Sequence, residues 1–204
     1  MSKIRFTKGE LKRQRDALRQ FEHYLPFLLL KKQQLQLEMQ RIYRQLSLKL
    51  QQIDNLKDEI SKWAGLLNEG TEEAAKWVRA EKVVRTNINI AGVDLPVFER
   101  VDFKDSDYDL FLTPLWTDTA ITKIRDLVVF VEEDKIIKEQ IRILEHELRI
   151  TTQRINLFEK IKIPGCKENI RLIRIYLGDQ QTNAVGRSKM AKTKIEAMVL
   201  EGVT

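Results

Sequence analysis

The stretch LLLKKQQLQLEMQRIYRQLSLKLQQIDNLKDEI, Leu28 to Ile60, decides how this chain folds. Its apolar residues Leu28, Leu35, Met39, Ile42, Leu46, Ile53, Leu56 and Ile60 recur at steps of three, four or seven. Such steps keep one stripe of a helix facing a single partner helix. The stripe extends upstream through Leu11, Leu18, Phe21 and Leu25 and downstream to Trp63 and Leu67. That is about eight heptads, more than a surface helix needs, and it reads as a coiled-coil seam. Thr7-Lys-Gly-Glu10 has the form of a capping box just ahead of the stripe. Asn68-Glu69-Gly70 supplies a stop, with Gly70 suited to the left-handed position beyond a helix end. The spacing therefore predicts a helix over 8–67, roughly 90 Å long.

A second stripe closes the chain: Ile121, Ile124, Val128, Val131, Ile137, Ile141, Leu144, Leu148, Thr151, Ile155, Phe158 and Ile161, resuming at Ile170, Ile173 and Leu177. Either Thr113-Pro114 or Thr117-Asp118 starts that helix. Between the two stripes, Thr71-Glu72-Glu73 opens a short helix through about Val83. The β-branched segment VVRTNINIAGVDLPVFERVDF then reads as a hairpin, with Gly92-Val93-Asp94 between its arms and Pro96 marking an edge strand. An acidic loop, KDSDYDLFLTPLW, follows. The expected fold is all-α: a long antiparallel two-helix coiled coil with a small inserted helix plus a β-hairpin. The expected parts are 1–70, 71–117 and 118–204. Neither long helix buries its stripe alone, so the two fold back on each other. Matching Leu67 to Asp118 sets residue i opposite about 185 − i, within half a heptad.

That register gives the polar interruption Thr151, Thr152, Gln153 and Asn156 a partner. Thr151 falls opposite Gln34, beside the gap at Lys31-Lys32 in the first stripe. Two polar layers then coincide, either fixing register or leaving a gap that is solvated or covered by a third protein. Pro164 falls opposite Phe21, near Pro26, so the prolines either kink both helices at one level or end them. Residues past about 178 have no partner and form a single-helix tip.

The chain has 204 residues, 32% of them charged, and a net charge of +6. A basic balance permits nucleic acid, acidic lipid or an acidic protein. Residues 1–20 are net +5, 149–204 net +6 and 94–118 net −5. The hairpin thus gathers positive charge at one pole and negative charge at the other. The single cysteine, Cys166, excludes an internal disulfide and fits a reducing compartment. The opening MSKIRFTKGELKRQR has no apolar core of a signal peptide. The run LPFLLL is far short of the about 20 residues a membrane span requires.

Groups for catalysis do not converge. His23 and His146 sit in helical stretches without nearby cysteine, and Cys166 has no base near it, so no catalytic or metal residue is assigned. Asp105, Asp107 and Asp109 open like a calcium loop, but Leu110 replaces the required glycine and Trp116 the final glutamate. Gly178 to Ser188 has the wrong spacing for a phosphate loop, with Arg187 in place of lysine. No cofactor is expected. No helix-turn-helix, zinc finger or aromatic RNA-binding pattern accompanies the basic pole.

The layout and several motifs together resemble the D subunit family of V-type and A-type ATPases. TKGELKRQRDAL resembles the family's T-K-x-E-L opening, and RTNINIAGVDLPVFE its N-I-x-G-V-x-x-P hairpin. RINLFEKIKIPGCKENIRLIRIYL resembles its R-V-N-A-L-E stretch followed by I-P, matched at Arg154, Asn156, Glu159 and Pro164. Leu157 departs from the usual alanine, Pro26 and Gly178 stand in helices the family writes as continuous, and Gly186 replaces a bulkier residue. The resemblance implies a non-catalytic central-stalk rotor. It would turn within a hexamer of catalytic A and nucleotide-binding B subunits, coupling ATP hydrolysis or synthesis to proton or sodium transport. The F subunit and a funnel-like subunit would link it to the proteolipid ring. The chain would lie in the cytoplasmic soluble sector and meet the membrane only through the complex. Lys8, Lys12, Arg13, Arg187 and Lys189 would contact acidic collar residues. Arg154, Asn156 and Glu159 would serve register or partner contact. Asn87, Ile88, Gly92, Val93 and Pro96 would form the coupling hairpin. The alternative is a basic coiled-coil scaffold for nucleic acid or acidic membrane.

Overall fold

The computed structural model of the chain describes residues 5–63, 65, 78–104, 116–200 and 202. Helix α1 spans Lys8–Ser61, strands β1 and β2 span Ala80–Ile90 and Val93–Phe103, and helix α2 spans Thr117–Leu157. A five-residue π-helical turn, Phe158–Lys162, leads into α3, Ile163–Leu200. The expected stop at Gly70, the opening of the short helix at Thr71 and the acidic loop over 105–115 lie outside the described residues.

Thr7 caps α1: its Oγ1 accepts the Glu10 N–H at 3.2 Å. The return half of the capping box is not made, and the Glu10 carboxylate accepts from Gln14 Nε2 at 2.8 Å. The helix ends at Ser61, short of Leu67. The Trp63 N–H reaches only back to Ile60 O, at 3.2 Å. Gly65 follows, and glycine costs about 1 kcal/mol within a helix.

Two compact units divide the chain: Lys31–Thr151, and residues 1–30 with 152–204. In the first, α1 and α2 run antiparallel. Lys31 Nζ meets Glu147 at 2.8 Å, Lys49 meets Glu133 at 2.7 Å and Lys123 meets Glu59 at 3.0 Å. The last two pairs set residue i opposite about 182 − i, within half a heptad of the expected register. They set Thr151 at the level of Lys31 to Gln34, inside that tolerance. Thr151 is 1% exposed, so the interruption holds a buried seam residue and is not an open solvated gap.

The core of this unit combines three elements. Leu35 and Ile42 come from α1, Ile137, Ile141 and Leu144 from α2, and Val93 and Leu95 from β2. Residues 93 and 95 share a face because strand side chains alternate. The hairpin closes on Ala91 and Gly92, both with positive φ, at 52° and 76°. That is the two-residue turn whose twist suits paired strands. Val93 and Asp94, expected within the turn, belong instead to β2. Asn89 Oδ1 accepts the Gly92 N–H at 3.1 Å, and Asn89 Nδ2 donates to Asp94 Oδ1 at 2.6 Å. Ala80 to Val83, expected to finish a helix, are strand: Val83 and Val84 pair with Val101 and Arg100. Cross-strand packing of β-branched residues wins there over helical continuation.

In the second unit, α1 continues through Pro26, and α3 continues through Gly178. Pro26 therefore does not end its helix, although a proline inside a helix costs about 3 kcal/mol or more. Pro164 is carried differently. The Ile163 N–H bonds to Phe158 O, five residues back. A widened turn just ahead of the proline relieves the clash of its ring with the carbonyl four residues earlier. That turn also shifts the seam. Burial steps by five, from Phe158 to Ile163, then continues at Cys166, Ile170 and Ile173. Ile161, expected in the stripe, is 63% exposed. Phe21 packs on Phe158 with ring centroids 5.0 Å apart. Past Leu177, the α3 side chains Val185, Met190, Ile195 and Met198 are exposed.

Truncating Leu144 to alanine should cost about 2–5 kcal/mol, because it is fully buried where α1, α2 and β2 meet. Ile161→Ala should stay within about 0.5 kcal/mol. Urea unfolding followed by far-ultraviolet circular dichroism tests both, and equal costs would contradict this core.

Candidate functional site

Three groups of side chains are the candidates for partner contact. The first lies where α1 begins beside α3. Lys8, Lys12 and Arg15 follow at steps of four and three, which puts them on one flank of α1. Opposite them stand Arg174 and Gln181 of α3, enclosing a groove of about 600 Å³ floored by Leu11 and Leu177. The groove runs on along the seam past Arg19 and Lys167. Of the residues expected to form the tip, Lys8 and Lys12 enter this groove. Arg13 does not: it lies 3.9 Å from Glu10. Arg187 and Lys189 sit farther along α3, on its exposed part. Arg15 and Arg174 complete the groove and were missed in the sequence. Arg15 was legible, since it continues the spacing of Lys8 and Lys12. Arg174 was not, because only the folded pair brings it there.

The second group is the polar motif. Arg154, Asn156 and Glu159 are all exposed, and of the polar residues Thr151, Thr152, Gln153 and Asn156 only Thr151 is fully buried. Leu157 and Ile161 point outward beside them. A register role therefore fits Thr151, while Arg154, Asn156 and Glu159 present an outer surface.

The third group is the hairpin. Arg85 to Asn89 of β1 are exposed throughout, including Asn87 and Ile88. Gly92 occupies the turn. Val93 is buried in the core, and Pro96 is half-buried with its carbonyl accepting from Gln140 Nε2 at 2.5 Å. Arg85 also reaches Glu139 of α2 at 3.1 Å. The hairpin is thus latched to α2 by β2 and by the Arg85–Glu139 ion pair, and Thr86 to Ile88 of β1 stay exposed. Gln140 escaped the sequence reading, since a glutamine beside the seam residue Ile141 gives no signal of its own.

Beneath the hairpin, a groove of about 360 Å³ holds Lys49, Glu133, Gln140 and Phe98. Lys49 Nζ sits 4.5 Å from the Phe130 ring centroid and bonds to Glu133, so its charge is already engaged. His23 stacks edge-on against Tyr24 and Phe27 on the exposed face of α1. Among the described residues, no group of three or more metal-ligating side chains gathers. Burial pushes the Cys166 thiol above its ordinary pKa, against the pull of Lys162. A nucleophile needs the opposite shift.

Residues 10–193 match the family model for the D subunit of ATP synthase. The chain is 45% identical, over 96% of both chains, to the D subunit of the V-type ATP synthase of Borreliella burgdorferi. It is 35% identical to that of Chlamydia felis, over 96% of this chain and 95% of that one. It is 32% identical to that of Chlamydia pneumoniae, over 98% and 96%.

Cys166 offers a direct check on the seam. At pH 8 the raised pKa and burial should together make thiol labelling much slower than for a free cysteine. Guanidinium should release full reactivity. Rapid labelling of the folded chain would place Cys166 outside the seam.

Proposed function

The chain belongs to the ATP synthase D subunit family, and we propose that it is the rotating central shaft of a V-type rotary ATPase. It turns within a hexamer of A and B subunits and, with the F subunit and a funnel-like subunit, joins that hexamer to the proteolipid ring. Supporting this most directly is a family match over residues 10–193, on a chain built from two unlike long helices paired along a seam.

A shaft has three physical tasks. It must resist twisting, and two helices interlocked side chain by side chain do so better than one. It must differ around its circumference, so that three otherwise equal catalytic sites meet different surfaces. Unlike helices provide that difference. It must also hand torque to its neighbours. The hairpin suits this third task, because Val93, Leu95 and the Gln140–Pro96 hydrogen bond fasten it to α2. The exposed β1 segment from Thr86 to Ile88 is then the surface for the F subunit or the funnel-like one. The chain works without catalysis or cofactor of its own. Among the described residues no helix is long and apolar enough to cross a membrane, and the protein reaches the bilayer through its partners, from the cytoplasmic soluble sector.

Expressed with its cognate A and B subunits, the chain should co-purify as one copy per hexamer by native mass spectrometry and alter ATPase activity. Several equivalent copies, or no association, would sink the shaft reading. Tight salt-dependent binding of the isolated chain to DNA or anionic vesicles would then favour a basic scaffold. Removing the whole hairpin would uncover the core, so the coupling role is better probed on β1. Asn87→Ala with Ile88→Asp should lower ion transport per ATP while hexamer assembly and helicity persist. Full coupling in that variant would rule out the role of β1.

A further inference from the structure

The pairing of the hairpin fixes which backbone groups of β1 face outward. In an antiparallel pair, hydrogen-bonded and non-hydrogen-bonded positions alternate. The two-residue turn at Ala91-Gly92 makes Ile90 and Val93 a hydrogen-bonded pair. Ile88–Leu95 and Thr86–Val97 then follow as hydrogen-bonded pairs, with Asn89–Asp94 and Asn87–Pro96 as the pairs between them. Pro96, which has no N–H, stands where the ladder uses none. The N–H and C=O of Asn87 and Asn89 therefore point away from β2, along the outer edge of β1. Among the described residues nothing bonds to these backbone groups. The Asn89 side chain is engaged inside the hairpin, on Gly92 and Asp94.

Proteins protect open strand edges with charges, prolines, bulges or a covering element. β2 has Pro96 on its edge, and Gln140 of α2 covers the Pro96 carbonyl. The first half of β1 has Glu81, Lys82 and Arg85, with breaks of register between Ala80 and Lys82 and between Val84 and Arg85. Thr86-Asn87-Ile88-Asn89 has none of these devices: all four residues are exposed, uncharged and regularly paired. Directly paired side chains share a face, so Ile88 lies on the face of Leu95. Leu95 is fully buried, yet Ile88 is 45% exposed. The core-facing side of the hairpin thus runs on, uncovered, to the open edge. We infer that this edge receives an added strand: an extended, uncharged segment of about four residues, with an apolar side chain beside Ile88. The shaft reading has one copy of this chain per complex, so the strand comes from the neighbouring stalk subunit that meets the hairpin. Resting on the reading of β1 as the coupling surface, the inference names how that contact is made. Main-chain bonds to Asn87 and Asn89 hold the segment, and the exposed flank of Ile88 selects it. Torque then crosses the joint through backbone hydrogen bonds rather than through flexible side-chain tips.

Amide hydrogen exchange resolved to single residues tests this, on the full-length chain alone and in the assembled complex. Alone, Thr86 and Ile88 should exchange slowly, since their N–H groups bond to β2, and Asn87 and Asn89 fast. Assembly should slow Asn87 and Asn89 by about tenfold or more. Asn87→Pro removes the outward N–H at a position where the hairpin does not use it, and unchanged slow exchange at Ile88 checks that the strands stay paired. With the F and funnel-like subunits each titrated onto the chain, one of them should bind Asn87→Pro about tenfold more weakly. Asn87→Ala, which keeps the amide, should bind as wild type does. Fast exchange at Asn87 and Asn89 in the complex, or wild-type binding of both subunits to Asn87→Pro, would overturn the inference. So would slow exchange there in the isolated chain that is lost on dilution, since a second copy would then occupy the edge. The reading of β1 as the coupling surface fails separately, if Asn87→Ala with Ile88→Asp keeps full coupling.

Discussion

A helix with one apolar stripe is an unfinished object. Alone in water, the stripe on α1 would expose Leu35, Ile42 and Ile53 along with the half-buried residues between them. Helix propensity adds little over such a length, and most helical stability comes from covering that stripe. The antiparallel return of α2 is therefore the condition on which everything else rests. It brings Lys49 to Glu133 and Glu59 to Lys123, and it creates the ledge on which the hairpin lies. These flanking ion pairs are worth about 1 kcal/mol or less each at a surface. Their value lies in alignment: they favour one register among the several that greasy seams tolerate.

The hairpin repeats the logic on a smaller scale. Two strands do not hold together by themselves in water. Here β2 places Val93 and Leu95 into the seam between α1 and α2. The strand pair then becomes part of a three-element core. Division of labour follows from the pleat and the pairing. β2 uses its side chains for attachment, while β1 keeps Thr86, Asn87 and Ile88 for whatever approaches from outside.

Most of the helical architecture was legible because heptad spacing is a strong signal. Each seam position read from the α1 stripe between Leu11 and Trp63 is buried or half-buried. What misled the reading was local. Ala80 to Val83 carry helix-compatible residues, and only pairing with β2 settles them as strand. Ile161 sits at a perfect helical interval from Phe158, yet that interval assumes 3.6 residues per turn. The π turn before Pro164 breaks the assumption. At the basic pole, the α1 half of the groove follows from spacing alone. Arg174 and Lys167 join it only through tertiary pairing, which no one-dimensional pattern contains.

That widened turn has a geometric meaning beyond accommodating a proline. One added residue in a helix turns all that follows by about 100°. The π turn absorbs such a residue by swelling rather than rotating, so Cys166, Ile170 and Ile173 stay in phase with α1. Excising one residue there would regularise the helix and leave α3 in phase, since the seam step of five from Phe158 to Ile163 would become an ordinary step of four. Val185, Met190 and Met198 would keep their azimuth relative to the seam, whereas an extra residue anywhere in the regular helix would turn them by about 100°. The five residues Phe158–Lys162 are in this sense a phase setting, by which a length change in the chain is kept from becoming an angular error at its far end.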